Sequence, residues 1–152
     1  MVGLGCGFQG GLPKAFAGAA KTTAPPNRTE WLSDLVRVEI TLWNRVDARL
    51  RREHGLSLAF FEALAALQAA PEGALRVGEL ARALRITVGA ASKLVDRMEA
   101  AGLIRRELDA EDRRASRVAI TAAGVQVLAA AEQTHSNELA ALLDPLLSAA
   151  EQ

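Results

Sequence analysis

Three features of the amino-acid sequence predict a mainly α fold that carries one small β-hairpin. Half of the residues are hydrophobic, Ala and Leu dominate, Tyr is absent and aromatic residues make up 4%. Such a composition favours packed helices over sheets, because β-branched and aromatic residues lead in strands. Apolar residues recur at spacings of three and four over long segments, the period of a helix with one buried face. Two short extended runs, Leu103 to Leu108 and Ala115 to Ile120, flank a charged loop and read as a hairpin. A chain of 152 residues suffices for one domain with one core.

The segment Met1 to Pro26 is Gly-rich, ends in Thr22-Thr23-Ala24-Pro25-Pro26 and shows no sustained period, so residues 1–26 are expected to form a flexible tail. Order is expected from Asn27, where Asn27 or Thr29 can cap a helix and Glu30 favours its first turn. Trp31, Leu35, Val38, Leu42, Val46 and Leu50 form one apolar stripe along a helix of about 25 residues, stopped at His54-Gly55. That stripe is longer than one small core needs, so residues 27–56 are read as a dimerisation helix whose surplus a partner chain covers. Trp31, Leu35, Val38 and Leu42 are the expected dimer contacts, with Leu139 and Leu142 from the last helix.

Residues 57–120 read as a second unit. Ser57 starts a helix with Leu58, Phe61, Leu64, Ala65 and Leu67 on its buried face, ended by Pro71-Glu72-Gly73. Leu75 to Val77 suits one short strand, and Val77 to Leu84 a third helix. After the break Arg85-Ile86-Thr87 a fourth helix runs to Ala101 and is closed by Gly102. Thr121 caps a last long helix reaching about Leu143. Residues 121–152 complete the dimerisation region.

Helix, three-residue turn, helix, then hairpin is a winged helix-turn-helix. Val77, Leu80, Ala81 and Leu84 supply the apolar face of its first helix. Leu94, Val95, Met98 and Leu103 hold the second to the core. Thr87 can accept backbone N–H groups at the start of that second helix, whose positive end suits a phosphate. Small residues there, Gly89, Ala90, Ala91 and Ser92, let it sink into a major groove, and Ser92 and Lys93 offer a hydroxyl and a cation. A guanidinium at the hairpin tip, from Arg113 or Arg114, can enter the negative minor groove. Asp112 can order that tip by pairing with an arginine. Net charge is zero, so any such surface is local; from Arg76 to Arg117 there are ten Lys or Arg against seven acids.

The stretch E-L-A-R-A-L-R-I-T-V-G-A-A-S-K-L-V-D-R-M-E-A-A-G-L-I-R-R, followed by D-A-E-D-R-R-A-S-R-V-A-I-T-A-A-G, resembles the MarR family of bacterial regulators. The resemblance spans roughly Thr29 to Ser148 and implies a dimeric winged-helix protein, with flanking dimerisation helices, that binds a palindromic operator. It places Arg114, the second arginine of D-R-R, in the minor groove. Asp96 and Arg97 of the recognition helix support helix and wing or touch the DNA backbone. It further implies a small-molecule effector bound between the dimerisation helices and the winged unit. Two departures stand out. Members usually end in a further long helix, whereas here Ser148-Ala149-Ala150-Glu151 has the form of a capping box just where the chain stops, as if that helix were cut short. A redox-sensing subgroup uses a cysteine beside tyrosine partners, but Cys6 lies in the tail and Tyr is absent, which argues against that mechanism.

The remaining residues read more plainly. Arg82, Arg85 and Arg97 have a solvated helix surface as their ordinary alternative, Arg113 an internal pair with Asp109 or Asp112, and Arg117 a cross-strand pair with Glu107. His54 and His135 read as a polar helix end and a solvent-facing side chain. Trp31 and Trp43 lie on different faces of the first helix and serve core, dimer or pocket wall. Of Phe60 and Phe61, one belongs to the core and the other to an inter-domain pocket. No phosphate-binding Gly loop, H-E-x-x-H or G-x-S-x-G occurs, so neither enzyme chemistry, nor cofactor, nor metal is expected. No apolar membrane span is visible, and a lone cysteine suits a cytoplasmic protein. The expected function is a sequence-specific transcriptional regulator, acting as a repressor, with double-stranded DNA, a second copy of itself and a small-molecule effector as partners. The alternative is a winged-helix protein-interaction or small-molecule-binding module without DNA binding.

Overall fold

The computed structural model describes residues 27–108 and 116–150, with side chains to residue 144. The expectations for the tail 1–26 and for Asp112, Arg113 and Arg114 lie outside the described residues. Helix α1, Arg28–His54, starts where the Asn27 side chain accepts the Thr29 amide at 3.1 Å. It ends at Gly55, whose left-handed φ of 64° lets its amide donate to the Arg51 carbonyl. Asp47 of α1 accepts the amide of Leu58 at 2.8 Å, and Ser57 that of Phe60 at 3.2 Å, so two side chains cap α2, Leu58–Ala69. Partial burial opposes ionisation of Asp47, but Arg51 and the Leu58 amide prevail and hold its carboxyl below the usual range.

A tight turn at Pro71–Gly73 leads to β1, Ala74–Arg76, then to α3, Val77–Ala83, and α4, Val88–Ala100. The hairpin β2, Ile104–Leu108, and β3, Ser116–Ile120, follows, and α5, Ala122–Ala150, closes the chain. The expected strand near Leu75 joins the hairpin, making a three-stranded antiparallel sheet of order β1-β3-β2. Leu50, Leu56, Leu64, Leu67, Leu80, Val95, Met98, Val118 and Leu128 are fully buried in one core that ties every helix to this sheet. Helix α1 lies along α5, where buried Glu138 meets Arg49 at 3.2 Å and Arg45 at 3.5 Å, and His54 shares a 2.8 Å hydrogen bond with Thr134.

Several expectations are corrected. Helix α5 continues past Leu143 and across Pro145 to Ala150, so Ser148 lies inside it and starts no new helix. Ala and Leu on both sides of the proline carry the helix over its one missing donor. Leu142 is only 3% exposed within the single chain and Leu139 is partly buried, so both already belong to this chain's own core. On α1, by contrast, Trp31 stays 60% exposed and Leu35 46%, while Val38 and Leu42 are half-buried. Arg117 faces Glu107 in the register but donates to Glu72 at 3.0 Å and to the Ala74 carbonyl at 3.1 Å, because Arg105 already occupies Glu107.

His135 is also not a solvent-facing residue: its ring stacks on buried Phe61 with centroids 4.5 Å apart. Burial pushes its imidazole below the usual range. The unfolded chain then takes up the proton first, near pH 6.5, so this group costs stability as pH falls through that point. We expect the melting temperature of His135→Gln to fall less between pH 7.5 and 5.5 than that of the unchanged chain. Equal falls would show that the stack does not control protonation.

Candidate nucleic-acid interface

Helices α3 and α4 are joined by a turn whose hydrogen bonds account for its shape. The Ile86 amide donates to Ala81 at 3.0 Å and the Arg85 amide to Arg82 at 3.2 Å, the paired closure that ends a helix on a left-handed residue. That residue is Arg85, with φ 56°. Thr87 then caps α4 by accepting the Ala90 amide at 3.2 Å. Ala91, Leu94, Val95 and Met98 turn inward and fix the helix on the core. Ala91 is fully buried, so it does not join the small-residue face expected of it.

The outward face at the start of α4 consists of Thr87, Val88, Gly89 and Ala90, all exposed, with Lys93 beyond them. The Ser92 hydroxyl donates to the Val88 carbonyl at 2.9 Å, leaving its oxygen as an acceptor only. From Leu80 to Val95 the sequence holds Arg82, Arg85 and Lys93 and no acid. Among the described residues Arg85 and Lys93 have no partner, whereas Arg82 leans weakly on the Gly78 carbonyl. Arg97 lies with its guanidinium 5.4 Å from the Phe60 ring centre, a cation–π contact that turns it towards α2 and away from the start of α4.

Asp96 does meet the hairpin. Its carboxylate takes the Arg106 guanidinium at 2.5 Å, and Glu99 takes both that guanidinium and the Arg106 amide. These contacts, the Asp96 hydrogen bond foremost, raise the Arg106 pKa above its usual range. Arg106 and Glu99 thus pin β2 to α4, a role sequence reasoning did not assign. The pair Arg105-Arg106 stood in the motif, but nothing local marks which helix residues it meets. Exposed ion pairs contribute little, so Arg106→Ala should cost only about 1 kcal/mol of global stability. Hydrogen exchange of β2 and β3 amides should nonetheless quicken more than that of α2; equal change would deny the pin. Behind the wing, Thr121 accepts the Gly124 amide at 3.1 Å and donates to the Gly102 carbonyl at 2.8 Å, so the cap of α5 also fastens the end of α4.

With this geometry in place, comparison with known proteins is decisive. A family profile described as MarR family matches residues 54–115. A MarR family transcriptional regulator from Silicibacter pomeroyi is 30% identical, with 82% of this chain and 85% of that one aligned at a TM-score of 0.64. The chain belongs to the MarR family of transcriptional regulators. Another MarR-family regulator, Sco3205 from Streptomyces coelicolor, solved in complex with DNA, is 26% identical over 82% of this chain and 78% of that one, with a TM-score of 0.73. The transcriptional regulator BldR from Sulfolobus solfataricus is 29% identical over 77% and 82%, with a TM-score of 0.66. No curated protein matches the chain. In this MarR-family chain no helix among the described residues is long and apolar enough to cross a membrane.

Proposed function

We propose that this MarR-family chain binds a near-palindromic DNA operator as a dimer, through Thr87, Gly89, Ala90, Ser92 and Lys93 of the helix-turn-helix and Arg113 and Arg114 of the wing. The observation that carries this reading is the acid-free run from Leu80 to Val95 on a capped, exposed helix start. Such a surface attracts phosphates and presents small side chains where base edges lie. The relative Sco3205, solved with DNA, supports it. Dimer formation is supported by Trp31, Leu32, Leu35, Val36, Ile40 and Trp43, all exposed on α1. The chain acts as a repressor, and a small-molecule effector releases DNA by binding the free and bound shapes with different affinity.

The test is a titration of fluorescent DNA from the region beside the chain's own gene, at two salt concentrations, against a scrambled duplex. Tight, selective binding that weakens steeply with salt is the expected result. Equal, salt-independent behaviour on both duplexes would refute the reading and favour a protein-interaction module.

A further inference from the structure

We infer that Arg85 is a DNA phosphate clamp, held at a strained position for that purpose; this rests on the DNA-binding reading above. The turn between α3 and α4 closes on a left-handed residue, the position just past a helix end that glycine usually fills. Arg85 adopts φ 56° there, where a Cβ meets the neighbouring carbonyl and glycine would not. Glu72 is the other described non-glycine residue with positive φ, and its carboxylate answers Arg117. Arg85 has no such return: its side chain is exposed and has no partner among the described residues. No interaction among the described residues therefore explains an arginine in this place.

Its surroundings point outward to one ligand chemistry. Arg85 precedes by two residues the cap of α4, so its guanidinium springs from the turn beside the exposed face Val88, Gly89 and Ala90. The nearest acids in sequence are Glu79 and Asp96, and both are engaged: Glu79 accepts the Arg76 amide at 2.8 Å, and Asp96 holds Arg106. A forked cation without a partner among the described residues, at the edge of the helix read as groove-entering, suits a phosphate of the flanking backbone, which arginine meets with two parallel hydrogen bonds. Phosphate contacts set register without reading sequence. Arg85 is thus a positioning residue for the recognition helix.

The experiment compares the unchanged chain with Arg85→Gly and Arg85→Lys, measuring melting temperature and affinity for one duplex across a salt series. Glycine relieves the strain, so Arg85→Gly should melt about 3 °C higher. It should also bind DNA about tenfold more weakly, the loss of one charged hydrogen-bonded contact. With two copies per dimer, its slope of log affinity against log salt should be shallower by about 2. Arg85→Lys should keep the slope and the original melting temperature. A rise in stability with a fall in binding is a combination that a merely structural arginine does not produce. The inference is overturned if Arg85→Gly binds with unchanged affinity and slope, or if it melts lower. Failure of the unchanged chain to bind any duplex would overturn the DNA-binding reading itself, and this inference with it.

Discussion

Replacing Gly124 with alanine should cost on the order of 3 kcal/mol of folding stability, as expected for overpacking against groups that cannot yield. A Cβ at this position would lie 2.3 Å from the Leu103 carbonyl oxygen, 2.9 Å from Ile120 Cγ1 and 3.2 Å from Leu64 Cδ2. Leucine and isoleucine side chains can shift by a few tenths of an ångström. The Leu103 carbonyl cannot do so freely, because it is backbone between α4 and β2 and already accepts the Thr121 amide at 3.1 Å. The start of α5 would have to move off the hairpin, breaking the Thr121 cap and its bond to Gly102. A domain of this kind has roughly 5–15 kcal/mol in total, so the loss would be visible in any denaturant titration. Gly78→Ala is the matched control: it lies in α3 with nothing within 4 Å of a built Cβ, and should gain about 0.5–1 kcal/mol from helix propensity. A cost below 1 kcal/mol at Gly124 would mean that α5 and the hairpin are not held as closely as described.

Gly124 also shows where the sequence was legible and where it was not. Its motif, Ile120-Thr121 followed three residues later by glycine, was readable as a helix cap because capping depends on residues three apart. The same holds for Thr87, Ser57 and Asn27, and for buried Leu58, Phe61, Leu64 and Leu67 of α2 and Leu94, Val95 and Met98 of α4, which follow from period alone. Why residue 124 must be glycine was not readable, since the obstacle is a carbonyl twenty-one residues earlier in the chain. The ion pairs failed for the same reason. Arg49 with Glu138, and Arg106 with Asp96 and Glu99, form only once helices cross at a given angle. His135 was misread because its partner, Phe61, lies on another helix. That Leu142 packs in this chain's own core was not readable, because period marks an apolar face without saying which neighbour covers it. Arg85 is a different case: the turn was visible, but an arginine in a glycine's conformation is rare enough that no local rule announces it.

The largest functional effect is expected from Lys93→Ala combined with Arg114→Ala, which should abolish selective operator binding while the fold persists. Lys93 is exposed on α4 and has no partner among the described residues, so its loss should move stability by no more than about 0.5 kcal/mol. Arg114 enters through the family resemblance, as the wing's minor-groove arginine. In a dimer the two changes remove four cations, and the salt slope should become shallower by about 3.6 if all four met phosphates. A minor-groove arginine also reads groove width, so the smaller slope should come with weaker preference for the operator over the scrambled duplex. The single variants separate these contributions. Lys93→Ala should weaken binding to both duplexes and change the slope, whereas Arg114→Ala should erode mainly the preference. Circular dichroism and melting of the double variant keep the result interpretable, since a folded dimer without affinity locates the defect at the surface. Unchanged operator affinity in a folded double variant would instead place the DNA contact elsewhere on the molecule. The exposed face of α1 would then be the next surface to probe, because Trp31 and Trp43 stand in solvent there in the single chain.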